Sequence, residues 1–219
     1  MSLDKSYEAL KETIIEWGGV EVTAMDVYSN IFNLGYNEIQ KENEAPGEFK
    51  ANPLGYFKYN DSQKGHYRIM FDDTFEKTLK ELQEADFAIL NGLTYFGRKN
   101  VQDHASTMRA MIFDLDGTDA EHLANFFSGA FRGDAYPVPN YVVMSGHNVH
   151  LYYVFEYAIP LYPNIKLQLK ELKFALTRKL WNPYTTTIEK PQYQGINQGF
   201  RVIGGKTKVE GRRVRAFKL

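Results

Sequence analysis

The chain has 219 residues, about one and a half average domains, so one elaborated domain or two closely packed halves are expected. Zero cysteines exclude a disulfide framework, a Cys-ligated metal and thiol catalysis, and no apolar run approaches the ~20 residues that span a bilayer. With 43% apolar and 24% charged residues the composition is ordinary globular, and a cytoplasmic protein with no membrane partner is expected. The net charge of −1 conceals a split. From Leu151 to Leu219 there are thirteen Lys or Arg against four acids, or +9, which leaves −10 on the first 150 residues. Such asymmetry points either to a polyanionic partner at the basic end or to a solvated basic face.

In chain order, the first predicted helix runs from about Ser6 to Trp17 and stops at Gly18-Gly19. The polar segment Tyr36–Ala51, with Pro46-Gly47, reads as a loop. Strand-like runs follow at Leu54–Tyr59 and His66–Phe71, then a helix from Asp72 or Asp73 to near Asn91-Gly92. Thr94–Gly97 and Met108–Leu115 read as strands, and a third helix starts at Thr118 or Asp119 and closes before Gly133. Strands Tyr141–Met144 and Val149–Glu156 precede a fourth helix, Asn164 to Trp181. Phe200–Ile203 and Val214–Phe217 complete the set. Helices and strands interleave, so the class is α+β or α/β. The sequence stops right after the last strand with no closing cap, which suggests the N-terminal part of a longer protein or, alternatively, an edge strand.

The sharpest local signal is Met111-Ile112-Phe113-Asp114-Leu115-Asp116-Gly117-Thr118. An apolar strand ends in two aspartates at i and i+2, which leave the same face of a sheet. Two converging carboxylates repel unless a cation lies between them, and hard divalent ions take such oxygen ligands. Asp114 and Asp116 are therefore candidate ligands for Mg²⁺ or Mn²⁺, with acids capping the next helix as the plainer reading. Asp-Leu-Asp-Gly-Thr resembles both the signature of haloacid-dehalogenase-type phosphatases and the Asp-x-Asp of archaeo-eukaryotic primase-type nucleotidyltransferases. The phosphatases need a later acidic motif and open the chain with the nucleophile strand. Here no aspartate lies beyond Asp134, and Asp114 is mid-chain.

Two further blocks resemble the primase family. Tyr141–Met144, the turn Ser145-Gly146-His147-Asn148 and Val149–Phe155 form a hairpin whose Gly and Asn tolerate positive φ. Alternation puts His150, Tyr152 and Val154 on one face. Ser-Gly-x-x-x-His-Leu-Tyr-Tyr resembles the family's second motif, in which a His contacts the nucleotide triphosphate. Asn148 stands where relatives usually have Gly, a change that an αL-tolerant Asn can absorb. A lone strand His is otherwise a hydrogen-bonded core residue. The third block, Phe200-Arg201-Val202-Ile203-Gly204-Gly205-Lys206-Thr207-Lys208, reads as a phosphate-facing loop and resembles the family's Arg-x-x-Gly-Ser-x-x-Lys segment. Upstream, Tyr95-Phe96-Gly97-Arg98-Lys99-Asn100 is similar to the segment preceding the catalytic strand of plasmid- and phage-borne members.

The resemblance implies a two-part core, an N-terminal α/β unit plus a C-terminal unit related to the RNA-recognition fold, with the site in the cleft between them. The dividing line is expected at 92/93, within one compact domain, and residues 1–92 carry no signature. It further implies a DNA primase–polymerase that adds dNTPs or NTPs to a DNA template and primer in the replication of a mobile element, with a helicase region or partner. Ser145, His150, Arg201, Lys206, Lys208 and Arg98 would then contact nucleotide. Glu189 is the best placed third carboxylate, against the plainer reading of an exposed partner for Lys190. A rolling-circle nicking protein using His147 and His150 is disfavoured because the turn separates them. A non-catalytic nucleic-acid-binding domain is the remaining alternative.

Overall fold

The computed structural model describes residues 3–44, 50–60, 64–146 and 148–219. Its first elements are α1 (Leu3–Glu16), β1 (Val20–Val22), α2 (Ala24–Phe32), β2 (Leu54–Lys58), β3 (His66–Ile69), α3 (Phe75–Glu84), β4 (Phe87–Leu90) and β5 (Leu93–Tyr95). There follow β6 (Ala105–Leu115), α4 (Ala120–Phe131), β7 (Tyr141–Met144), β8 (Val149–Pro160), α5 (Pro163–Leu180), β9 (Phe200–Arg201) and β10 (Arg215–Lys218). Pro46-Gly47 of the expected loop and His147 of the hairpin turn lie outside the described residues. No helix among the described residues is long and apolar enough to cross a membrane.

Alternation along the two longest strands organises the packing. β6 and β8 pair antiparallel at the heart of a six-stranded sheet ordered β1-β10-β7-β8-β6-β5. Met111, Phe113 and Leu115 enter one core with Val149 and Leu151, under α1 and α4. Ala110 and Ile112 enter a second core with Tyr152, α2 and α3. That second core also meets a four-stranded antiparallel sheet ordered β3-β2-β4-β9. Among the described residues every strand pair is antiparallel and the helices lie on both sides, so the class is α+β.

The line at 92/93 does not divide the sheets. β1 joins the large sheet through β10, and β9 joins the small sheet through β4. The helix expected to reach Asn91 ends at Glu84, and its last part is β4 instead. There Ala88 and Leu90 are buried at alternate positions while the backbone pairs with β2 on one side and β9 on the other. The sequence reading passed over α2 altogether. Thr23 and Asp26 form its capping box, with Asp in the place where Glu or Gln marks the usual signature.

Part of the charge split is matched within the fold. Lys206 pairs with Asp86 at 2.7 Å, Arg212 with Glu8 at 2.9 Å and Arg213 with Glu84 at 3.3 Å, and Arg215 grips Glu21. Each pair joins a cation of the basic stretch to an acid of the first 150 residues. Four of the basic residues therefore answer to acids within the fold rather than to an outside polyanion.

Gly92 sits where the strand-to-strand turn presses on β6. Its carbonyl accepts from Arg109 N at 2.7 Å and from Ala110 N at 3.2 Å. A Cβ added there would lie 2.5 Å from the Ala110 carbonyl oxygen and 2.7 Å from Ala110 Cβ. Gly92→Ala should therefore destabilise the protein by about 1–3 kcal/mol, seen as a lower urea midpoint at unchanged m-value.

Candidate active site

The register of β6 against β8 sets Asp114 opposite His150. Both side chains leave the face that looks toward the small sheet. Between the two sheets lies a cavity of about 350 Å³, lined by Asp114, Ser145, Asn148 and His150 from one side and Phe87, Phe200 and Arg201 from the other. Asp116 follows one residue beyond the strand. Its turn is held by Gly117 at φ +72, where a Cβ would meet Thr187 Oγ1 at 2.7 Å and Ile188 Cγ1 at 2.8 Å. Thr186 Oγ1 donates to the Asp116 carbonyl, and Thr187 Oγ1 donates to that of Gly117 at 3.0 Å.

Burial makes this pair of carboxylates costly. Asp114 Oδ1 is buried with no hydrogen-bond partner, and His150 Nε2 lies 3.5 Å away without bonding it. Burial, followed by the Asp116 charge, pushes the Asp114 carboxyl up to about 7, against the pull of Lys208. Burial also raises Asp116, opposed by Lys208 and a hydrogen bond from Gln192. An orphaned buried oxygen beside a second carboxylate fits a hard divalent cation. Mg²⁺ in particular is commonly held by one or two carboxylates, with water and substrate phosphates completing the shell. His150 is 3% exposed, and burial, then the Arg201 charge, lowers it to about 3. Burial therefore favours the neutral imidazole over the cation.

The sequence-predicted residues divide. Ser145, His150, Arg201 and Lys208 line the cavity with Asp114. The Lys206–Lys208 loop reaches it by packing on the hairpin turn, since a Cβ at Gly146 would lie 3.5 Å from Thr207 Cβ. Lys206 itself points to Asp86 and does not line the cavity. Arg98 lines a separate cavity with Arg68 and Lys77. Glu189 lines a third with His122 and Trp181. Among the described residues no group of three or more His, Cys, Asp or Glu is placed to hold a metal ion, so Glu189 is not brought to the aspartates. The Asn148 side-chain amide donates to Asp116 Oδ1.

Residues that the sequence reading passed over complete the surroundings. β5 covers β6 only as far as Met108, and the segment 191–198 closes the open edge beyond. Gln194 Oε1 accepts from Asp114 N at 3.3 Å, standing in for a strand partner. Lys173, from α5, is 1% exposed. Its ammonium donates to the Gly195 carbonyl at 3.1 Å and lies 5.6 Å and 5.5 Å from the Phe113 and Phe200 rings. Burial lowers it to about 8. Phe200 in turn meets the His150 ring edge-on at 5.3 Å. In the sequence Lys173 is one basic residue of a basic helix, and only tertiary placement distinguishes it.

No protein-family model and no curated protein matches the sequence. Among solved structures, the chain is similar to the AEP domain of the primase-polymerase of cyanophage S-2L, with a TM-score of 0.52 at 13% identity. The match covers 89% of this chain and 88% of that domain. At this identity the likeness is one of architecture. The chain has the fold of an archaeo-eukaryotic primase–polymerase (AEP) domain.

Proposed function

We propose that the protein is a DNA-directed nucleotidyltransferase that extends a primer on a template strand. The observation that carries this reading is the buried, unpartnered Asp114 oxygen beside Asp116, in a cavity whose other walls supply cations. Asp114 and Asp116 would hold two Mg²⁺ or Mn²⁺ ions. When bound, such ions activate a primer 3′-hydroxyl and neutralise the departing pyrophosphate. The 3′-oxygen bonds to the α-phosphorus as the bond from that phosphorus to the bridging β-oxygen breaks.

The chain's own residues then position the triphosphate and offset its charge. Lys208 reaches the carboxylates and would meet phosphate oxygens beside them. Arg201, braced over the Phe87 ring at 4.6 Å and against the Lys206 carbonyl at 3.3 Å, is held in a fixed orientation at the small-sheet wall. Neutral His150 would donate one ring N–H to a phosphate oxygen, and the Ser145 hydroxyl another hydrogen bond. Lys206 and Arg98 would act at longer range, if on the template, from outside the cavity. A phosphatase reading needs a later acidic motif, and among the described residues no third carboxylate joins the pair. By analogy with the cyanophage enzyme, we place the activity in replication of a mobile element, with a helicase region or partner opening the template.

Wild-type protein should extend a labelled primer on a DNA template with Mn²⁺ or Mg²⁺ and either dNTPs or NTPs, and Asp114→Asn/Asp116→Asn should reduce extension to background while remaining folded. Synthesis surviving in that double variant would sink the assignment. A second outcome concerns stability. Because the folded state raises Asp114 to about 7 from an ordinary value near 4, it holds an extra proton between those limits, and stability falls as pH rises through that window. Asp114→Asn should therefore melt several degrees above wild type at pH 7.5 in chelator, with the gap closing toward pH 4. Added Mn²⁺ should raise the wild-type midpoint more than that of the variant.

A further inference from the structure

One flank of α5 faces the segment that closes the cleft. Lys173 and Thr177 on it are buried, and Lys173 is tied to Gly195. Beside them Lys170, Phe174 and Arg178 recur every fourth residue and so form one row along the helix. Tyr193 lies across this row, its ring centroid 4.9 Å from that of Phe174, and Lys170 Nζ is 5.5 Å from the Phe174 centroid. Tyr193 nevertheless keeps 47% of its surface exposed. α5 carries five basic residues (Lys166, Lys170, Lys173, Arg178 and Lys179) against the single acid Glu171.

The row is joined to the catalytic carboxylates through the chain itself. Gln192 bonds the Asp116 side chain and Gln194 accepts from the Asp114 amide, while Tyr193 between them turns to α5. An open aromatic face flanked by exposed cations has the chemistry of a ledge on which an unpaired base stacks while its neighbouring phosphates meet Lys170 and Arg178. A paired duplex offers no free base face at such a spot, which favours a single strand.

We infer that the Tyr193–Phe174 ledge, with Lys170 and Arg178, binds a single nucleic-acid strand beside the cleft. That this strand leads to Asp116 as template or primer rests on the nucleotidyl-transfer reading; the binding itself does not. The test is fluorescence anisotropy with a labelled oligothymidine, in chelator and without nucleotide, so that no cation in the cleft contributes. Tyr193→Ala and Tyr193→Ala/Phe174→Ala should weaken binding about 5- to 50-fold, and Tyr193→Trp should preserve it. Lys170→Gln/Arg178→Gln should lower the slope of log affinity against log salt by about 0.7 per cation removed.

Thermal unfolding checks that each variant is folded, and Tyr193→Ala alone serves if the double variant is not. Oligothymidine binding at wild-type strength by folded Tyr193→Ala would overturn the ledge, as would equal weakening toward a duplex of the same length. If wild-type protein fails to extend primers while Tyr193→Ala weakens oligothymidine binding, the ledge stands and the polymerase reading falls. If primers are extended and Tyr193→Ala binds normally, the ledge alone falls.

Discussion

The cleft depends on one register, that of β6 against β8. Asp114 faces His150 because Phe113 is paired with Leu151 and Leu115 with Val149. A slip of one residue would drive the carboxylate into the core that holds Phe113 and Leu115, and bring an apolar side chain out in its place. Around the site both faces of these strands are buried, so neither direction of slip finds a solvated escape there. The same enclosure that fixes the register strips water from Asp114 and His150. That is why the first is pushed up and the second pushed down, and why the site combines an electrostatically costly acid with a neutral imidazole.

Local chemistry was what the amino-acid sequence made legible. The i, i+2 aspartates, the Gly turn after them and the helix that Asp119 caps are all contained within a few residues, and short-range rules reach them. The hairpin before His150 was legible for the same reason. Between Lys206 and Lys208 the sequence could not choose, because the choice is made by Asp86, remote in the chain and on the far side of Arg201. β4 was read as helix because Leu79, Leu82 and the residues after them keep a helical apolar spacing, while its strand state is imposed by β2 and β9 on either side. Gln192, Gln194 and Lys173 carry no signature; they matter only because α5 and the 191–198 segment lie along the open edge of β6.

The opposite charges of the two halves read from sequence as a prospective polyanion site. Within the fold some of them serve as mutual partners, with Arg213 and Arg215 set against Glu84 and Glu21. Exposed pairs of this kind contribute about 0–1 kcal/mol each to stability. Lys208 at the cleft and the exposed flank of α5 bear positive charge outside the four pairs.

β10 is the last strand in sequence yet lies inside the large sheet, between β1 and β7. During synthesis β1 emerges early and has no partner until residues 215–218 leave the ribosome. Over that interval β7 presents an unpaired edge whose Tyr141–Met144 run is wholly buried in the finished protein. Such an edge is a template for foreign strands. The nascent chain is thus prone to wrong partners until β10 has emerged, and a ribosome stalled short of β10 would release an aggregation-prone product.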